Sequence, residues 1–183
     1  MKNLRLNVRQ MALMGMLVSL SIVLDAVFKF YQLANGGSIN LAMVGLVLIA
    51  LSFSWWQSWL AITIIFGLIT AFLDGYIAYY FFDYFFALSG FVVISWMRRK
   101  ILLSHELTGF ISLSWTFFIA FTWRLLMHVI SGVLYFEVDW AGSLIYNLTY
   151  LLPSFFLSYA VILTLYFSSL PQIIRQFTLK RML

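Results

Sequence analysis

The chain has 183 residues, of which 64% are hydrophobic, 20% aromatic and only 9% charged, with a formal net charge of +5. No water-soluble domain of this size hides so much apolar surface, so the chain reads as an all-α integral membrane protein with room for about six spans. It has no cysteine, which excludes disulfides and Cys-ligated zinc or iron–sulfur sites.

Residues 1–9 are basic and precede an apolar run at 11–28. Bulky residues and Asp25 stand where a signal peptase would need small ones, so this run reads as a retained first span. Further apolar runs fall at 39–53, 59–73, 76–97, 109–135 and 143–167. Lengths near 20 residues cross a bilayer at about 1.5 Å rise per residue, and the second and third runs, about 15 each, are short for that task. The sequence therefore predicts one domain over residues 1–183, a compact bundle of six transmembrane helices. With six spans, Lys2, Arg5, Arg9, Arg98, Arg99, Lys100, Arg175, Lys180 and Arg181 all share one side. The other side holds Lys29 with Asp74, Glu137 and Asp139 near its loops. The positive-inside rule then makes both termini cytoplasmic, in a multi-pass protein of the cell membrane. These basic residues meet lipid headgroups; no nucleic-acid partner is expected. Trp55, Trp56 and Trp59 read as a cytoplasmic-side interfacial belt.

Asp83, Arg124 and His128 lie inside apolar runs, where a lone charge costs roughly 2.5–3.5 kcal/mol on insertion scales. Such residues usually face a bundle interior or a polar cavity. The helical rise puts Asp83 and His128 about 10 Å below the outer edge, Arg124 about 16 Å and Asn147 about 6 Å. Arg124, His128 and Gly132 are spaced four apart, so they form one helical stripe that Phe136 continues to the membrane edge. Gly132 there either admits a ligand or serves helix packing. Asp83 and Arg124 either neutralise one another as a structural ion pair or border a pocket open to the exterior. The Asn147-Leu-Thr149 glycosylation pattern falls at membrane depth and is set aside. No phosphate-binding loop, His-Glu-x-x-His helix or Gly-x-Ser-x-Gly elbow occurs. Two histidines are too few for an ordinary histidine metal centre, so no metal or cofactor is expected. With no ATP-hydrolysing motif, active uptake would need partner proteins.

Four segments carry a family resemblance. Gly36-Gly37-Ser38-Ile39-Asn40-Leu41-Ala42-Met43-Val44 resembles the Gly-Gly-Ser-x-x-Leu-Ala-Met entry to the second span of thiamine-specific S components, the substrate-binding subunits of energy-coupling-factor (ECF) vitamin importers. Asp74-Gly75-Tyr76 followed by Asp83-Tyr84 is similar to the acidic-Tyr signature of that family's fourth span. Arg124-x-x-x-His128-x-x-x-Gly132 resembles its basic-x-x-x-His-x-x-x-Gly stripe. Tyr146-Asn147-x-x-Tyr150-Leu151-Leu152-Pro153 resembles the start of its sixth span. The motifs run in order over most of the chain.

The resemblance implies a six-helix bundle with a deep outward-facing pocket that binds thiamine with high affinity. It implies ligand contacts at Asp83, Tyr84, His128, Gly132 and Asn147, and further at Arg124 and Tyr146. Thiamine carries a permanent thiazolium cation, which a desolvated carboxylate compensates and an aromatic face stacks against. On this reading Asp83 is the cation partner, and Tyr84 and Phe136 are aromatic walls. The family docks its first span on a transmembrane coupling subunit through a small-xxx-small face, here Ala12 with Met16 or Gly15 with Ser19, and two further subunits hydrolyse ATP. No enzyme activity is implied. Two other readings stand beside it: an S component for another vitamin or a thiamine precursor, and a small intramembrane enzyme using Asp83 and His128 as acid and base.

Overall fold

The first helix, α1 (Val8–Ala26), starts one turn before the apolar run because Asn7 and Gln10 cap it reciprocally: the Asn7 side chain accepts from the Gln10 N–H at 2.9 Å, and Gln10 Oε1 accepts from the Asn7 N–H at 3.1 Å. The computed structural model describes residues 7–33, 36–168 and 170–178. Lys2, Arg5, Lys180 and Arg181 of the expected basic side lie outside them. After α1 the chain forms a short antiparallel pair, β1 (Tyr31–Gln32) with β2 (Ser38–Ile39), in register Tyr31 to Ile39 and Gln32 to Ser38. Its turn uses Gly36 at φ +93°, a conformation in which only glycine rests without strain.

The second run becomes α2 (Ala42–Ser52), shorter than the expected 39–53 because β2 takes its start. At about 1.5 Å per residue it extends only about 16 Å. Nearly every side chain on it is buried, as suits a helix apolar all round. It packs against α1 and against four later helices, and so forms the centre of the bundle. The α1–α2 contact is close: a Cβ on Gly45 would fall on the Ser21 side chain.

Next comes α3 (Trp55–Leu73), which widens into a π-helical stretch at Leu60–Phe66. The fourth run, expected as one helix over 76–97, is two pieces. Residues 77–89 form α4, three-ten at Ile77–Tyr79 and π-helical at Phe81–Phe86; after a break at Gly90 and Phe91 follows α5 (Val92–Leu103). The break leaves the Phe86 carbonyl without its regular helical partner. The Trp123 indole N–H donates to it at 2.7 Å and the Ser89 hydroxyl at 2.6 Å, so a polar backbone group in an apolar setting stays satisfied.

The two longest helices are α6 (Glu106–Tyr135) and α7 (Trp140–Tyr166), packed as an antiparallel pair. Phe117 and Phe155 stack between them at 4.9 Å. A short helix, α8 (Leu170–Thr178), touches α2, α5 and α7. Among the described residues four helices, α1, α3, α6 and α7, are long and apolar enough to cross a membrane, and the chain is an all-α membrane protein. Alternation of direction brings the loops after α1, α3 and α6 to one end of the bundle. Arg9, the Arg98–Lys100 cluster and Arg175 belong to the other.

Candidate functional site

A cavity of about 320 Å³ opens at the end of the bundle formed by the loops after α1, α3 and α6. Small-molecule sites span about 300–1,000 Å³, so it suits a ligand of vitamin size. All eight residues singled out from sequence, Asp83, Tyr84, Arg124, His128, Gly132, Phe136, Tyr146 and Asn147, line it.

Its centre is a relay across α4 and α6. Asp83 Oδ1 lies 3.1 Å from His128 Nδ1, and the Arg124 Nε–H points to His128 Nε2 at 3.4 Å. A guanidinium only donates, so Nε2 accepts and the imidazole proton sits on Nδ1, facing Asp83. This corrects the direct Asp83–Arg124 ion pair entertained from sequence: His128 lies between the two, because four-residue spacing stacks it directly above Arg124. Among the described residues Arg124 Nη1 is buried with no partner, as is Ser131 Oγ two turns along the same face. Both residues line the cavity, and a buried polar atom without a partner is uncommon in a folded protein.

A second carboxylate, Asp74, is held at both oxygens. Lys29 Nζ donates to Oδ1 at 3.0 Å and Tyr84 OH to Oδ2 at 3.1 Å, tying together the ends of α1, α3 and α4. Asp83 and Tyr84 are neighbours in sequence, and both reach the cavity from the π-helical stretch, a distortion often found at functional sites.

From α7, Tyr146 and Asn147 serve the walls. The Tyr146 hydroxyl accepts from the Gly37 N–H at 3.1 Å and pins the β1–β2 loop over the cavity. The Asn147 amide donates to the Ser143 carbonyl at 2.9 Å and the His128 carbonyl at 3.3 Å, while its oxygen accepts from Tyr150 OH at 2.6 Å. Asn147 thus braces α6 against α7, and Tyr150 stands beside it. Gly132 serves both of its expected ends: it borders the cavity, and a Cβ there would collide with Ser143 Oγ. At the rim, the Phe136 ring meets Tyr79 at 4.9 Å, leaving an aromatic edge half open to the outside.

Sequence reading missed Asp25, Asn40, Tyr150 and Ser143, which also line the cavity. For Asp25 the signal was present, since it is an acid inside an apolar run like Asp83. The expected docking residues Ala12, Gly15, Met16 and Ser19 are exposed on the outer face of α1, with Met14, Val18, Ser21 and Asp25 turned inward. Among the described residues no group of three His, Asp or Glu side chains is arranged to hold a metal ion.

Residues 11–174 match a family model described as thiamine transporter protein (Thia_YuaJ). No curated protein and no solved structure matches the chain.

Proposed function

Because the chain belongs to the thiamine transporter protein family, we propose that it is the membrane-embedded, high-affinity thiamine-binding S component of an ECF-type importer. The observation that carries this reading is the meeting of Asp83, His128, Arg124 and Tyr84, drawn from two separate segments, in one cavity of vitamin size. Thiamine offers an amino group, ring acceptors, a cation and a hydroxyl. The free Asp83 oxygen accepts from the amino group, Arg124 Nη1 and Ser131 meet acceptors, and Phe136 and Tyr84 present ring faces. Binding requires no covalent step.

In this reading the six helical segments are α1, α2, α3, α4 with α5, α6 and α7, and all six cross the membrane. The cavity end faces outward. Arg9, Arg98, Arg99, Lys100 and Arg175 then lie on the cytoplasmic side with both termini, in accord with the positive-inside rule. The outer face of α1 docks on a transmembrane coupling subunit, where its small residues permit close approach, and two ATPase subunits supply the energy.

Purified protein should bind thiamine saturably at one site, read as quenching of tryptophan fluorescence. Absence of saturable binding overturns the substrate assignment; a competition panel of related pyrimidines and thiazoles tests for a different vitamin. The absence of native cysteine makes sidedness simple to measure. Val138→Cys should react with an impermeant maleimide in intact cells, and His105→Cys only after permeabilisation. The reverse pattern would exclude an outward-facing cavity. Gly15→Trp should abolish vitamin uptake in cells while purified protein binds thiamine within about threefold of wild type. A bulky side chain there meets open space in the isolated subunit but blocks close helix approach. Unchanged uptake would count against docking through this face.

A further inference from the structure

Three carboxylates line the cavity, and they are not equivalent. Asp74 has Lys29 and Tyr84 on its two oxygens, and Asp83 has the His128 imidazole. Asp25, on α1, is buried and takes part in neither of these contacts. Its partner is a neutral amide: Asn40 Nδ2 donates to Oδ1 at 2.8 Å.

Asn40 cannot turn away from this task. Its own oxygen accepts from the Ala42 N–H at 3.1 Å at the start of α2, its backbone N–H donates to Ser154 Oγ at 3.1 Å on α7, and Nδ2 also reaches Ser38 Oγ at 3.0 Å. The amide is therefore oriented from both sides, and Asp25 Oδ1 is fixed by it. Among the described residues nothing donates to Asp25 Oδ2, and Asp25 lines the cavity. Among the described residues Lys29 and Arg124 are the permanent cations beside the three carboxylates, and His128 accepts from Arg124 at Nε2. One negative charge is left over. An ionised carboxylate held in a low-dielectric wall without counter-charge is costly, and a bound cation removes that cost.

We infer that Asp25, positioned by Asn40, is the substrate-binding carboxylate that compensates the ligand's positive charge and makes the cavity selective for cationic over neutral ring systems. This rests on the thiamine reading above and reassigns the cation contact from Asp83 to a residue on α1. Asp83, already sharing the His128 proton, is left to accept a hydrogen bond from the ligand.

The test uses the full chain in lipid nanodiscs and two ligands: thiamine, and the neutral analogue in which carbon replaces the quaternary nitrogen. Wild type should prefer thiamine. Asp25→Asn should lower thiamine affinity on the order of 100-fold, as expected for loss of a desolvated charge pair, and change affinity for the neutral analogue less than threefold. An equal loss for both ligands, or no loss for either, overturns the assignment. Should Asp25→Asn fail to fold, the thiamine-to-analogue ratio is read in Asp25→Glu, where moving the carboxylate by one methylene should change it more than threefold; an unchanged ratio also overturns it. Wild-type protein that binds neither ligand sinks the thiamine reading itself, visibly and before any variant is made, and this inference with it.

Discussion

Asp83→Asn is expected to weaken thiamine binding by about 100-fold or more while the protein still folds. The substitution is nearly isosteric, and the new amide oxygen can still accept from the His128 Nδ1–H that now faces Asp83 at 3.1 Å. The imidazole therefore keeps its orientation, and Arg124 Nε keeps its acceptor at Nε2. What disappears is the negative charge and the second carboxylate oxygen, the one not engaged by His128 and so able to accept from a ligand. Since Asp83 acts as an acceptor, thiamine and its neutral analogue should lose affinity in parallel, unlike the selective loss expected at Asp25. Isothermal titration with both ligands, together with a thermal unfolding curve, reads this directly. Unaltered affinity would show that the acid serves only His128 and Arg124. Failure to fold would make the relay a structural element, because a cation left unpaired in the bundle costs about 3–5 kcal/mol.

The largest effect on stability should come from Gly45→Val. A Cβ at this position collides with the Ser21 hydroxyl and sits 2.8 Å from the Ser21 Cα, so the obstacle includes backbone that cannot rotate away. Ser21 is itself fixed, donating to the Leu17 carbonyl at 2.7 Å. Overpacking a tight site costs typically 1–3 kcal/mol and occasionally more; the branched side chain at a backbone contact should fall at the upper end, about 3 kcal/mol. Pushing α1 from α2 also separates Asp25 from Asn40, so ligand affinity should fall with stability. Gly45→Ala combined with Ser21→Gly removes the side-chain part of the clash and should recover part of the loss in thermal stability. A wild-type unfolding temperature for Gly45→Val would mean that the α1–α2 contact is looser than its geometry indicates.

Much of the site was legible in the chain because membrane depth makes polarity expensive. Asp83, Arg124 and His128 stood out as exceptions in apolar runs, and four-residue spacing placed Arg124, His128 and Gly132 on one face. The same rule applied to Asp25, which near the end of the first run served only to argue against a signal-peptide cleavage site. Asn40 gave less warning, since an asparagine in a loop ahead of a helix ordinarily serves the local backbone; its oxygen does accept from the Ala42 N–H, and its amide group orients Asp25 as well.

Composition and the length of the apolar runs, by themselves, determined that this is a helical membrane protein and roughly where its helices lie. Transfer from water to lipid depends on each stretch of side chains almost independently of its neighbours. The tertiary structure alone decided which polar groups meet: that His128 stands between Asp83 and Arg124, that Asn147 braces α6 against α7, and that Asp25 joins the cavity beside the Asn40 amide. Those pairings depend on how each helix is rotated and how far it slides along the next. Contacts such as Gly45 with Ser21 and Gly132 with Ser143 set that rotation, and they join residues whose proximity no local pattern announces.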